Sequence, residues 1–461
     1  MQAEIMVKTV NKGVTGIVDR FQGDKVVLVI VLLLMGISIL AIFGSTSQLA
    51  ASNSTSRVEI VSDHLKTVGM GLIAMIAFYS IRSITFFRIM SQAGFFTSVL
   101  MLVTMYATIG MKGPVHGDYM NGEAIRYLYC FGINIQVFEF VKVLMIFYMS
   151  WAISSYKNGL FKITKHVATM DRMDWIDTPL AQRVIYFYIP FVTVTLLVMK
   201  GGNSSAVIIA GIMFMTMLLG GMPVKNILGF GALGVVGIGL LVGVSMGTDG
   251  AVFPRLKTAV GRLERSAMDD EYILSLPRRS KEYNDLKDKM QQPMGAKLAV
   301  GGAKVFGKGF GKSTQKYNVP VMYEDYMFSY IVEETGIWGA LVLIILYCTL
   351  LARGSLIVRG LKNTFAKAAV TGTVLLITGQ AFLHMFVNVD IGPLTGQTLP
   401  MISHGRTSFL LFSMAFGVLL SFSREAKANS DLADEDIRKS SEVIQEAEVY
   451  TQTEVNTETI S

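Results

Sequence analysis

Ten runs of mostly apolar residues, each about as long as a bilayer is thick, constrain this chain more than any other feature. A helix crossing the hydrocarbon core needs about 20 consecutive apolar residues. The runs fall at approximately 25–44, 64–82, 86–110, 134–154, 184–200, 204–222, 226–247, 326–352, 366–388 and 400–423. Composition agrees: 52% of the 461 residues are hydrophobic and only 16% charged, against roughly 25% charged in a soluble domain. The expected fold is all-α, a polytopic membrane protein of about ten transmembrane helices. A large extracytoplasmic loop separates the seventh from the eighth. The Gly-rich fifth to seventh spans are expected to pack closely, because small residues let helix backbones approach.

The first run, VVLVIVLLLMGISILAIFG (Val26 to Gly44), is followed by small residues that invite a cleaved-leader reading. A leader's apolar stretch is about 7–15 residues. This run is longer and follows a polar arm, so an uncleaved first span is expected.

Lys and Arg in short loops set orientation. Lys8, Lys12 and Arg20 precede the first span, Lys157, Lys162, Lys165, Arg172 and Arg183 follow the fourth, and Arg353, Arg359, Lys362 and Lys367 follow the eighth. With ten spans these share one side, so both termini are expected in the cytoplasm. The expected divisions are a cytoplasmic arm 1–24, spans over 25–247, the outer loop 248–325, spans over 326–423 and a disordered cytoplasmic tail 424–461. The net charge of +7 is then explained by anionic lipid and topology rather than nucleic acid. Two cysteines, Cys130 and Cys348, make no disulfide framework.

The outer loop is basic although it should lie outside. Its end, GGAKVFGKGFGKSTQK, places Lys304, Lys308, Lys312 and Lys316 every four residues among glycines. Lysines with exposed backbone N–H groups suit a phosphate or pyrophosphate. Snorkelling to lipid headgroups explains the same pattern. The spacing is not a nucleotide-binding loop. Lys308 and Lys312, inside the densest glycine run, are the candidate pyrophosphate contacts, with Lys304 and Lys316 as surface charges. Arg126, in the outer loop NGEAIR before the fourth span, is a further anion-binding candidate.

Carboxylates in hydrocarbon are costly and mark function, and the predicted eighth helix opens on one. Asp325 of YEDYMF reads either as a helix cap or as a general base at the membrane surface. Glu333 and Glu334 lie deeper and need polar or basic partners. Glu139 and Lys142 are three apart on one helix face and can pair, a structural clamp in preference to a catalytic pair. His384 and Asn388, four apart, precede an irregular stretch with Gly392, Pro393, Gly396 and Pro400, then Ser403. Irregular backbone at that depth needs protein or a cavity around it. No zinc-type spacing and no Ser/His/Asp order is present.

In this order, NGEAIR, QVFEFVK, GGAKVFGKGFGKSTQK, VPVMYEDYMFSYIVEETG and TGQTLPMISHGRTSFL resemble the SEDS family (shape, elongation, division and sporulation), which includes FtsW and RodA. TGQTLP and LLSFSRE lean toward the FtsW branch. The family's Q-P-S-E-x-x-K is matched at Gln136, Glu139 and Lys142, with Val137 and Phe138 in place of Pro-Ser. Its catalytic aspartate falls on Asp325, its E-E-L-G on Glu333, Glu334 and Gly336. Its L-P-x-I-S-Y-G-G-S-S falls on Leu399 to Ser408, with His404 for Tyr and Arg406 for the second Gly. KGGNSSAV lacks the Asp of the family's Pro-Asp-Leu-Gly-Thr.

The resemblance implies a peptidoglycan glycosyltransferase that polymerises lipid II by inverting transfer, with Asp325 as base. It implies a class B penicillin-binding protein and other divisome or elongasome membrane proteins as partners. The expected location is the bacterial cytoplasmic (inner) membrane. No tightly bound cofactor and no metal ligand set is expected. A divalent Mg or Mn ion would travel with the substrate pyrophosphate. A lipid-precursor transporter (flippase) and a non-catalytic cell-wall scaffold are the rival functions.

Overall fold

The computed structural model describes residues 21–458, except 53–55, 112, 121–123, 162–163, 165, 167–173, 249–256, 258–259, 262–276, 278–279 and 393–394. The N-terminal basic arm, Lys162, Lys165, Arg172, Pro393 and most of the first half of the outer loop lie outside the described residues.

Ten apolar helical elements, α1–α10, follow the ten apolar runs. They are α1 (Lys25–Ser45), α2 (Arg57–Ser80), α3 (Ile84–Ser91 and Gly94–Ala107), α4 (Val137–Lys157), α5 (Pro179–Gly201), α6 (Asn203–Leu219), α7 (Val224–Gly247), α8 (Ile337–Gly360), α9 (Thr364–Asn388) and α10, which starts at Arg406. Eight are long and apolar enough to cross a membrane, α3 does so as a pair bent by 45°, and α6 is a shorter apolar helix. The chain is a multi-pass membrane protein.

Asp24 explains where α1 starts. Its carboxylate accepts from the amides of Val26 and Val27 at 3.0 and 3.1 Å, capping donors that have no partner inside the helix. Asn363 caps α9 in the same way, through Phe365 and Ala366. The most enclosed spans are α10, α4 and α9, with 78%, 72% and 61% of their apolar windows buried, whereas α7 has 6%. The expectation that the Gly-rich spans pack closely therefore fails for α7. A Cβ placed on Gly229, Gly234, Gly237, Gly239 or Gly243 would meet nothing within 4 Å.

The helical fold carries one short antiparallel sheet, Val115–Met120 (β1), Ala124–Cys130 (β2) and Ile133–Gln136 (β3) in order β1-β2-β3, and three further expectations are corrected. Tyr129 pairs with Asn134 and Cys130 with Ile133 across Phe131–Gly132, both at positive φ, as a two-residue primed hairpin turn requires. The eighth span begins at Ile337, because Gly336 breaks the predicted helix (φ 71°, ψ −158°) and leaves Met327–Thr335 as a separate short helix. The tenth begins at Arg406, since 395–405 is irregular. The tail, expected to be disordered, continues α10 as helix to Glu458. Its Ala, Glu, Lys and Gln content favours helix even where no apolar face requires it.

The Gly-rich lysine segment folds against the 333–336 backbone. The amides of Lys308 and Gly309 donate to the carbonyls of Glu333 and Glu334 at 2.8 and 2.9 Å, and Ile337 N–H donates to Val305 at 3.2 Å. The approach is close enough that Gly336 has no room for a side chain. A Cβ there would lie 2.2 Å from the Val305 carbonyl oxygen, and its dihedrals belong to a region almost confined to glycine, costing other residues about 1–3 kcal/mol. Gly336→Ala should therefore lower the thermal unfolding midpoint of the purified protein clearly. Gly379→Ala in α9, with open space at the Cβ, should leave it unchanged or raise it slightly. Equal midpoints for the two variants would contradict this packing.

Candidate active site

One face of α9 carries Gln380, His384 and Asn388 at helical spacing, all buried. Together they hold the irregular 395–398 strip and the short helical segments around Asp325. Gln380 donates to the Thr398 carbonyl at 3.0 Å. His384 Nδ1 lies 2.6 Å from the Gln397 carbonyl, and its Nε2 accepts from the Phe328 amide at 3.3 Å. A carbonyl only accepts, so the proton sits on Nδ1 and the ring is neutral. Asn388 accepts from the Ser329 amide and hydroxyl at 2.9 Å each, and donates to the Asp325 carbonyl at 3.1 Å. One helix thus ties the 395–398 strip to the turn bearing Asp325.

At the foot of this face lies Lys142, 1% exposed. Its ammonium donates to Glu139 Oε1 at 2.6 Å, Gln380 Oε1 at 2.6 Å and Gln397 Oε1 at 3.1 Å. Gln397 in turn donates to Ser205 of α6 at 3.3 Å. The expected Glu139–Lys142 clamp is formed, and it is larger than a pair: all three ammonium protons are used, and α4, α9 and the irregular strip meet on them.

Asp325 ends a single turn, Met322–Asp325, entered through Val321 at φ 57°. Its backbone is fixed by Asn388. Ser403 donates to the Glu324 carbonyl at 2.7 Å and the His404 amide to the Tyr323 carbonyl at 2.9 Å. The N-cap of the next helix is Tyr326, with no side-chain capping bond, so Asp325 does not act as a cap. Its carboxylate faces Gly396, where a Cβ would stand 3.5 Å from Asp325 Oδ2 and 3.6 Å from Arg126 Nη1. Carboxylate and guanidinium therefore flank one glycine, whose φ of +56° and missing side chain leave a narrow crevice lined by Asp325, His384, Thr395 and Gln397. Burial pushes the Asp325 carboxyl up to about 7; neighbouring Glu324 adds to this and Arg126 opposes it. A carboxylate with that proton affinity can accept a proton from a hydroxyl near neutral pH.

The acids further along do different work. Glu333, 0% exposed, accepts from Lys308 Nζ at 2.6 Å, the Thr314 hydroxyl at 2.9 Å, the Thr314 amide at 3.1 Å and the Ser313 hydroxyl. It is the anchor around which the glycine–lysine segment winds. Glu334, also buried, accepts from the Ser313 amide at 3.4 Å.

The four lysines do not divide as expected. The amine of Lys308, a candidate pyrophosphate contact, is bound to Glu333 and Thr314. Lys316, expected on the surface, is 2% exposed and donates to the Gly311 carbonyl at 2.6 Å. Lys304 and Lys312 are exposed. Among the described residues no three His, Cys, Asp or Glu side chains group as a metal site.

Sequence reasoning missed Gln380, Gln397 and Ser205. Gln380 could have been found, since it continues the four-residue spacing of His384 and Asn388. Gln397 and Ser205 carry no such signal. It also missed the contact between His404 Nδ1 and Glu324 Oε1, 3.7 Å apart. Arg406 has an answer on α2: it pairs with Asp63 at 3.0 Å.

A family model described as "Cell cycle protein", covering FtsW, RodA and SpoVE, matches residues 24–428. "Probable peptidoglycan glycosyltransferase FtsW" of Hahella chejuensis is 33% identical over 216 residues, 45% of this chain and 54% of that protein; that match spans about half of the relative. Stage V sporulation protein E of Bacillus subtilis is 23% identical over 412 residues, 88% of this chain and 98% of that one. A chain in a solved peptidoglycan synthase complex superposes with a TM-score of 0.59 at 16% identity, covering 88% of this chain and 98% of that one; it shares the fold.

The Lys142 cluster makes an asymmetric prediction. Glu139→Ala leaves the ammonium two amide acceptors. Lys142→Ala strands a buried carboxylate and two amide oxygens. Breaking a buried pair costs about 3–5 kcal/mol, and Lys142→Ala should lie at the upper end, with Glu139→Ala milder. The double variant Glu139→Leu/Lys142→Met should recover stability relative to Lys142→Ala. Thermal unfolding in detergent reads all three, and single variants as stable as wild type would refute the clamp.

Proposed function

The chain belongs to the FtsW, RodA and SpoVE family of cell cycle proteins, and from that premise we propose that it is a peptidoglycan glycosyltransferase that polymerises lipid II. The observation that carries the reading is the Asp325 carboxylate: partly buried, held near neutral proton affinity, across Gly396 from Arg126. The 4-hydroxyl of one lipid-linked disaccharide attacks the anomeric carbon of a growing chain with inversion. A new C–O bond forms at that carbon, the bond to the lipid pyrophosphate breaks, and Asp325 takes the hydroxyl proton. The pyrophosphate leaves with its negative charge, which needs cationic partners. Arg126 beside the base and Lys312 on the outward face of the glycine–lysine segment are the groups suited to it. Lys308 serves instead to hold that segment on Glu333. A divalent cation bound to the pyrophosphate is part of the substrate in this reading, and no step is assigned to a resident metal.

The same geometry supports a reading of the setting. Asp325 precedes α8, Arg359 lies in the last turn of α8 and Lys362 follows it, so the base and the Lys/Arg-rich loops lie on opposite sides. With the basic loops cytoplasmic, the site faces outward from the bacterial cytoplasmic (inner) membrane and both termini face inward. The fold shared with a chain of a peptidoglycan synthase complex supports a class B penicillin-binding protein as the partner that crosslinks the product.

Asp325→Asn should insert, fold and bind its partner while losing polymerisation. Removal of a general base costs typically ~10²–10⁴-fold. The assay is purified protein with its penicillin-binding partner and labelled lipid II, with glycan chains resolved by gel. Near-wild-type chain synthesis by the variant would sink the assignment. Lipid movement across vesicles without chain synthesis by the wild type would favour the transporter instead.

A further inference from the structure

At the end of the molecule opposite Asp325, the start of α1, the end of α8 and a mid-length stretch of α10 line an open cavity of about 800 Å³. Cations from all three helices and the turn after α8 converge on it: Lys25 of α1, Arg353 and Arg359 of α8, Lys362 after it and Lys427 of α10. One acid on its wall is already used. Asp24 is 5% exposed at the side chain, takes Arg353 at 2.6 Å, and caps α1. The other acid is Asp431. Among the described residues Arg359, Lys362 and Lys427 form no ion pair, and all three are exposed. The cavity is therefore left with more positive charge than its own acids neutralise.

The remaining walls are apolar. Val26 and Leu356, 40% and 49% exposed, stand beside the cations, with Ile357 and Ala426 behind them. Val26 belongs to the first turn of a membrane span and Leu356 to the last turns of another. An occupant would thus meet a cationic end and a hydrocarbon-facing side at the level where headgroups lie. A free metabolite has no use for the second surface, and a nucleic acid cannot reach it. Orientation alone requires basic residues in the loops but does not require them to converge on one cavity.

We propose that this cavity binds the phosphate of an anionic phospholipid, with Arg359, Lys362 and Lys427 on the headgroup and the acyl chains along Val26 and Leu356. Charge-assisted contacts to phosphate are about twice as strong as neutral hydrogen bonds, and basic pockets between spans are a recurrent headgroup site. The Asp24–Arg353 pair supports the floor without contacting the lipid.

The test uses the full chain, purified and presented with phosphatidylglycerol or phosphatidylcholine at equal concentration. Retained lipid is counted by native mass spectrometry. The wild type should retain phosphatidylglycerol and not phosphatidylcholine. R359Q/K362Q/K427Q should retain at least about tenfold less, with an unchanged thermal midpoint in phosphatidylcholine, since all three side chains are exposed. If the triple variant folds poorly, R359Q and K427Q alone should each reduce retention. Equal retention by wild type and variants, or no preference between the two lipids, would overturn the proposal. Release of the bound lipid by millimolar inorganic phosphate would overturn the lipid as the source and leave a free-phosphate site.

Discussion

An ammonium ion buried between helices persists only where several acceptors reach it at once, and Lys142 is such an ion. Its three protons go to Glu139, Gln380 and Gln397. The acceptors come from one turn earlier in α4, from α9, and from the irregular strip before α10. Taking any of the three segments away would leave a buried charge short of partners, at a cost of several kcal/mol. The ion therefore fixes α9 against α4 and draws the strip onto α9. Once α9 is placed, His384 and Asn388 follow by helical geometry, and through them the Phe328 and Ser329 amides and the Asp325 carbonyl. The proposed base is held two steps from the lysine, with no bond to it.

The acids at the start of the eighth apolar run divide into two kinds. Glu333 is surrounded by donors from Lys308 to Gln315 and shapes the segment over the site. Asp325 has its backbone fixed and its carboxylate facing the crevice. The break at Gly336 separates both from α8, so neither acid lies inside a membrane helix. Each carboxylate, costly in hydrocarbon without partners, is carried by a folded segment separate from α8.

Much of this was legible in the residues. Apolar length located ten apolar helical elements, nine of them long enough to span when the bent α3 counts as one, and three- and four-residue spacing found the Glu139–Lys142 pair and the His384–Asn388 face. What failed did so for identifiable reasons. Lys308 and Lys316 look like a free basic stripe because spacing shows charge but not its partners, which lie on Glu333 and on the carbonyl of Gly311. The sheet at 115–136 was hidden by its length, since a short hairpin between spans leaves no periodicity to compare with a helix. The start of α8 was misplaced because Gly336 carries its meaning in its dihedrals. Gln397 and Ser205 are ordinary polar residues until the fold brings them to Lys142.

The central claim is that Asp325 is the proton acceptor and that its surroundings set its proton affinity. Only the ionised carboxylate can take the hydroxyl proton. With its carboxyl pushed up to about 7, the active fraction should be nearly constant above that pH and fall about tenfold per unit below it. The direct measurement is the initial rate of glycan polymerisation by the purified complex from pH 5.5 to 8.5, at low lipid II and fixed salt. The account predicts an acid limb bending near pH 7. A rate that stays flat down to pH 5.5 would contradict it, because an ordinary exposed aspartate, or a base elsewhere, would then be carrying the reaction.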